Sequence, residues 1–376
     1  MTDPDVIPPD QRHLLARFWA SASGFWSGPS AWRVWLLCLT AISIVIAQLA
    51  VQYQLNYWNR HFFDALELKD HAALRYAILL FFPLVAASTL LAVASVWARM
   101  TIQRSWRVYL TRRLIVSWLR DRHYRSLGHL NGTDLPRNAE HRISEDARVA
   151  TDAPVDLSLS LVSSLLTLIV FFQVLANLGG TIVLEAAGLR IAIPGYLAIS
   201  VLIYSGVVVT VVLVMGRRLT AVIQDQIQAE AAFRSSANLV RESGEGILLR
   251  DIEKEDRHEL WLGLHNVIEH WRRLCWQLIR ITFVSQTNLL FAPVIGLLLC
   301  VPKYLAGDMT LGEVTQAAAA FATVQGALNW FVDNFQRMAD WRSAASRVAA
   351  LLLAIDDLKE NVRSPRVMNA SDANSM

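Results

Sequence analysis

Three groups of residues in this 376-residue chain have types and spacings that could do chemistry. The first is acidic. Glu145 and Asp146 stand beside Arg142 and Arg148, Glu230 lies four residues before Arg234, and Glu242 and Glu245 flank Gly244 and Gly246. A carboxylate shielded from water has its pKa raised and can carry a proton. The competing reading for Glu145, Asp146 and Glu230 is an ion pair with a neighbouring arginine, and for Glu242 and Glu245 a solvated turn. The second group is a polar stripe. At about 100° per residue from Gln316, positions Ala320, Thr323, Ala327 and Asn334 return to within roughly 40° of one line. Polar groups facing lipid are costly, so this stripe must meet protein or a water-filled cavity. Its recurring Gln316, Thr323 and Asn334 favour cavity lining, with Gln286 and Asn288 expected to join. The third group is Asn56, Asn59, Arg60 and Asp64. Positions 56, 59 and 63 share a helical face and could line an outer gate, whereas Tyr57 and Trp58 fit an interfacial aromatic belt.

Other chemistries lack their residues. His265 and His270 are five apart, the remaining histidines form no ligand set, and Cys38, Cys275 and Cys300 are widely separated, so no metal and no catalytic residue is expected. Only four of the 35 basic residues are lysines, and no Gly-Lys dipeptide occurs. The phosphate loop G-x-x-x-x-G-K-[ST] is therefore missing. No cofactor is expected on the chain, and ATP would act only through a separate subunit. A net charge of +3 gives no reason to expect nucleic acid.

The elements that must position these groups are apolar helices. The chain is 54% hydrophobic and only 18% charged, against about 25% charged residues in soluble domains. Six segments, near residues 32–53, 78–98, 157–178, 196–215, 282–301 and 311–335, have roughly the 20 residues needed to cross a bilayer. The sixth is weaker, being rich in Ala, Gln and Asn. Backbone groups in lipid must be satisfied internally, so the spans are helices, and Pro293 is expected to kink the fifth. No cleavable signal peptide is expected. Before the first span, Leu14, Leu15, Phe18, Trp19, Ala22, Phe25 and Trp26 follow a helical step, which suggests an amphipathic helix lying in the membrane interface. Thirty of the 35 basic residues fall on one side of this topology, placing both termini in the cytoplasm. Residues 99–156 and 216–281 keep a helical periodicity, so the membrane helices are expected to extend far into the cytoplasm. Turns are expected near 126–136 and 241–250, where Gly and Pro gather.

Several stretches resemble SbmA/BacA-type transporters, whose membrane part is like that of ABC exporters. They are Asn56-Tyr-Trp-Asn-Arg-His-Phe-Phe-Asp-Ala-Leu66, Arg142-Ile-Ser-Glu-Asp146, Glu230-Ala-Ala-Phe-Arg234, Leu239-Val-Arg-Glu-Ser-Gly-Glu245 and Pro302-Lys-Tyr-Leu-Ala-Gly-Asp-Met-Thr-Leu-Gly312. The resemblance implies an all-α, type IV exporter-like domain over residues 31–350, between a 1–30 tail and a 351–376 tail. It implies a homodimer in the inner membrane that moves peptides or bulky amphiphilic solutes by alternating access. Glu145, Asp146 and Glu230 would then serve coupling or proton linkage, and a tip at Glu242 and Glu245 would dock on an ATPase. The sequence ends about 40 residues past the sixth span, so an ATPase supplied in trans is expected. A proton-coupled carrier and a non-transporting remnant are the alternatives.

Overall fold

The structure is a computed structural model that describes residues 18–20, 22–28, 31–120, 139–186, 189–244 and 252–372. The turns expected near 126–136 and 241–250 lie wholly or largely outside them. In chain order the elements are α1 (Gly24–Ser27), α2 (Ala31–Glu67), α3 (His71–Leu119), α4 (Ala139–His141), a π-helical turn (Arg142–Asp146), α5 (Ala147–Gly179), β1 (Thr181–Ala186), β2 (Leu189–Pro194), α6 (Tyr196–Gly244), α7 (Ile252–Leu305), α8 (Leu311–Leu328) and α9 (Trp330–Asp372). The chain forms two compact units, residues 1–170 with 333–376 and residues 171–332.

Five helical stretches among the described residues are long and apolar enough to cross a membrane. They include α2, α3 and α5 whole and most of α6 and α7. The expected sixth span is not one of them. Its helix α8 has 18 residues and stops at Asn329, a single turn residue before α9 begins. The 49 residues of α6 would reach about 74 Å at 1.5 Å each. That is more than twice a hydrocarbon core of about 30 Å. Pro293 and Pro302 both sit inside α7, which remains one helix.

In the first unit, the turn between α2 and α3 is fixed by Asp70. Its carboxylate caps α3 by accepting from the backbone N–H groups of Ala72 (2.8 Å) and Ala73 (3.2 Å), which satisfies two of the donors a helix start leaves open. Trp58 on α2 donates its indole N–H to the Ala77 carbonyl on α3 at 2.7 Å, binding the hairpin just past that turn. The unit's core gathers Trp106, Leu110 and Leu114 of α3, Ile143 and Ala147 around the π turn, and Val348, Leu351 and Ile355 of α9. Phe18, Ala22 and Phe25 are buried in the same core. Phe25 stacks on Trp106 with ring centroids 6.1 Å apart, and Trp26 meets it edge-on at 5.7 Å. Protein therefore covers Phe18, Ala22 and Phe25 of the apolar face expected to lie against lipid, while Trp19 stays exposed. Burying each such aromatic contributes about 2–3 kcal/mol relative to leaving it in water.

The second unit departs from a purely helical fold. A two-stranded antiparallel hairpin joins α5 to α6, in a register running from Thr181 opposite Pro194 to Ala186 opposite Leu189. Its strands are rich in Ile, Val and Leu, residues suited to a pleated ladder. Gly180 and Gly195 close its base with positive φ of 52° and 63°, and the Gly195 N–H donates to the Gly180 carbonyl at 2.6 Å. Such angles are comfortable only for glycine. α8 opens with a capping box: Glu313 N–H donates to Thr310 Oγ1 (3.2 Å), and Thr310 N–H to the Glu313 carboxylate (3.0 Å). α8 lies so close to α7 that a Cβ added at Gly296 would stand 2.8 Å from the Phe321 Cβ and 3.0 Å from the Ala318 Cα. Large apolar side chains remain exposed along both units, among them Leu79, Phe82, Leu90 and Val93 of α3, Ile203 and Val207 of α6, and Leu289, Leu290 and Phe291 of α7. Exposure on this scale marks a lipid-facing surface in helices of such hydropathy.

Candidate functional site

The most developed polar site lies in the first unit, where α5 and α9 run antiparallel. Asp146 closes the π turn, with its side chain only 3% exposed. The Arg347 guanidinium grips both its oxygens, Nη2 to Oδ1 at 2.6 Å and Nε to Oδ2 at 2.9 Å. This fork is the strong geometry for an arginine–carboxylate pair. Hydrogen bonding to Asp146 pushes the Arg347 guanidinium pKa above its ordinary value. Arg347 also donates to Ser343 Oγ at 2.5 Å, while Arg142 donates to the Arg347 carbonyl at 3.3 Å. Both ends of the π turn are thus tied to α9. π-Helical turns of this kind concentrate at functional sites.

A second rung follows ten residues along each helix. Asp156 accepts from Arg337 at 2.5 Å and from the Gln103 amide at 2.7 Å, with the Arg99 guanidinium 3.4 Å away. Gln103 also donates to the Asp152 carbonyl at 3.1 Å. Ten helical residues are about 15 Å, so two acidic residues on one strand of the ladder meet two arginines on the other at matched spacing. The rungs join α3, α5 and α9. Sequence reading singled out Asp146 but paired it with the adjacent Arg142 or Arg148, and it left Asp156 unremarked. The available signal was the equal ten-residue spacing of Asp146 and Asp156 and of Arg337 and Arg347.

Glu145 does what local reading allowed. It pairs with Arg148 at 2.5 and 3.2 Å, and these hydrogen bonds hold its carboxyl below the usual glutamate range. Both side chains are largely exposed, so the pair contributes little stability. Glu230 accepts from the Gln226 amide at 2.7 Å, one turn earlier, so the partner in place is not the anticipated Arg234. The side chains of Glu242 and Glu245 lie outside the described residues.

In the second unit the expected polar lining divides. Gln316 is buried at 3% exposure, with Ala317, Ala320, Phe321 and Val324 fully buried along the same helix. Gln316 and Ala320 of the stripe thus face protein, while Ala327 is half-buried. Thr323 is half-buried and donates to the Ala319 carbonyl of its own helix at 2.9 Å. Asn288 is buried and accepts from the Tyr204 hydroxyl at 2.9 Å. Gln286 is exposed, since two helical residues rotate a side chain by about 200°. Asn334 lies beyond Asn329, on α9 and in the first unit. The structure adds Gln325 and Ser205, both buried; Gln325 lay off the extrapolated stripe.

At the end of α2, Asn56 is buried and Asn59 half-buried. Arg60 and Asp64 form an i,i+4 ion pair at 3.7 Å. Tyr53, Tyr57 and His61 stack along one edge, and Trp58 meets Phe62 and Phe81 at 5.3 and 4.9 Å. The aromatic side chains there contact one another, and Asn56 points away from solvent. Among the described residues no group of His, Cys, Asp and Glu could hold a metal ion.

The family described as ABC transporter transmembrane region 2 matches residues 27–305, from α1 to the end of α7. The chain belongs to that family. It is a multi-pass membrane component of a transporter. It is 26% identical over 348 residues to the inner membrane ABC transporter ATP-binding protein YddA of Escherichia coli, covering 91% of this chain and 61% of that protein. An uncharacterised ABC transporter ATP-binding protein of Synechocystis is 24% identical over 89% of this chain and 48% of its own length. The chloroplastic ABC transporter D family member 2 of Arabidopsis thaliana is 21% identical over 96% of this chain and 48% of its own length. The chain thus spans about half to three-fifths of these relatives.

Proposed function

We propose that the chain is the permease half of an exporter-fold transporter, with α8 and the start of α9 completing a sixth span. Two copies enclose one pathway and open it alternately to each side of the inner membrane. Both termini are cytoplasmic, and the solutes are peptides or other bulky amphiphiles. An ATP-binding subunit drives the cycle. The observation that carries this reading is the ladder Asp146–Arg347 and Asp156–Arg337. It couples the helix entering the third apolar segment to the helix leaving the last, the kind of two-ended link that transmits a movement. Names such as that of YddA, an ATP-binding protein, favour ATP over protons as the energy source.

The test is uptake of a labelled amphiphilic peptide into sealed membrane vesicles from cells that make the chain together with its ATP-binding partner. ATP-driven transport requires accumulation that fails on ATP depletion and survives a protonophore. Accumulation that collapses with the protonophore and survives ATP depletion supports a proton-coupled, SbmA/BacA-like carrier. Glu230→Gln would then impair uptake while leaving the protein in the membrane. No accumulation under either condition refutes transport of this solute class.

A further inference from the structure

An arginine-lined groove in the first unit fits a ligand that neither the apolar spans nor the ion-pair ladder assigns. It has a volume of about 940 Å³ and lies between the N-terminal segment, the start of α2 and the middle of α3. Arg33, Arg104, Arg112 and Arg113 stand on its wall, and among the described residues no acidic side chain does. Its floor is apolar, with Val34, Leu37 and Val108 among the contributors. A smaller pocket of about 500 Å³ adjoins it and shares Arg104 and Arg112.

The height of the groove identifies its occupant. α2 and α3 are antiparallel, fixed by the Trp58 to Ala77 hydrogen bond at their shared turn, so Arg33 and Arg104 sit at nearly the same level. Arg33 is followed by the apolar run of α2, and Arg104 comes just after the apolar run of α3. Arg112 lies about 12 Å further from the apolar zone. The indoles of Trp26 and Trp35 meet at 5.8 Å, and Trp35 donates to the Trp26 carbonyl at 3.3 Å. Indoles gather at the water boundary of a bilayer. Val34 and Leu37 therefore lie on the acyl-chain side of the Arg33 and Arg104 level, and Val108 and Arg112 on the headgroup side. The apolar Val34 and Leu37 match a lipid tail, and the guanidinium rim matches a phosphate.

We infer that this groove holds an anionic phospholipid, with its phosphate between Arg33, Arg104 and Arg112 and its acyl chain along Val34 and Leu37. The inference rests on α2 and α3 crossing the membrane, as proposed above, and its test needs no transport. Purified full-length protein in neutral detergent is titrated with phosphatidylglycerol, with phosphatidylcholine and with inorganic phosphate, and bound lipid is counted by native mass spectrometry. Phosphatidylglycerol is expected to saturate one site per chain at concentrations where phosphatidylcholine and phosphate do not. Arg104→Gln with Arg112→Gln should weaken that binding about 30-fold, at about fivefold per cation removed near a lipid surface. Arg104→Lys with Arg112→Lys should retain it to within about fivefold. Equal binding of the two lipids, or an unchanged affinity in the Gln variant, overturns the inference. Saturation by phosphate alone overturns the acyl-chain part. Should the Gln variant fail to fold, the comparison of lipids on the unaltered protein decides.

Discussion

Replacing Arg347 by Gln removes the forked partner of a carboxylate that the fold hides from water, and its cost can be worked from the geometry. Removing one partner of a fully buried ion pair costs about 3–5 kcal/mol, because the remaining charge loses its compensation. Asp146 is that buried partner at 3% exposure, but Arg347 is 46% exposed. Water already screens the guanidinium, so the expected loss falls to about 1–3 kcal/mol. Asp146→Asn should cost less, since an amide leaves no buried charge and the freed guanidinium can turn to solvent. The double variant should be little worse than Arg347→Gln alone, giving a coupling energy of about 1–2 kcal/mol. Thermal unfolding of the four purified proteins in one detergent measures the cycle. Additive effects of the two substitutions would show that the fork contributes nothing, and the argument for a structural link between the π turn and α9 would fall with it.

Three further outcomes follow from contacts elsewhere. Gly296→Ala places a methyl group against the Phe321 Cβ and the Ala318 Cα, and overpacking of this kind costs about 1–3 kcal/mol; Gly206→Ala, where nothing lies within 4 Å, should leave the unfolding temperature unchanged in the same assay. Trp58→Phe loses the indole bond to the Ala77 carbonyl, at about 1 kcal/mol, and hydrogen exchange at the α2–α3 turn should accelerate. Hydrogen bonds from the Ala73 and Ala72 backbone N–H groups lower the Asp70 pKa, so the stability it adds is present above its unfolded value of about 4 and is lost as pH falls through the lower folded value. Asp70→Asn should keep the cap and remove that acid sensitivity, which unfolding between pH 3 and pH 6 would register.

The first five apolar segments were legible because hydropathy and length are local properties, and each falls within a helix of the structure. The sixth, weaker in hydropathy, is divided in the structure between α8 and the start of α9 by the turn residue Asn329, which the pattern of apolar positions does not mark. The hairpin at Thr181–Pro194 went unseen because its strands are only six residues each and sit between two much longer helical patterns. The candidate site was half legible. Arg142-Ile-Ser-Glu-Asp146 could be chosen from the sequence, and Glu145 took the local arginine offered to it. Asp146 took one 201 positions away, and no periodicity within a helix carries that information. Burial separated the two neighbours, since the buried carboxylate needed a forked donor brought in by tertiary packing while the exposed one did not.

The separation between Asp146 and Arg347 also orders events during synthesis. At about 5–20 residues per second a ribosome needs roughly 10–40 s to pass from the carboxylate to its arginine. Throughout that interval the early helices exist without the residue that neutralises their buried acid. The core around Ile143 and Ala147 therefore cannot close at low cost until α9 arrives. A nascent chain waits for it, and α9 is the helix that locks the first unit shut.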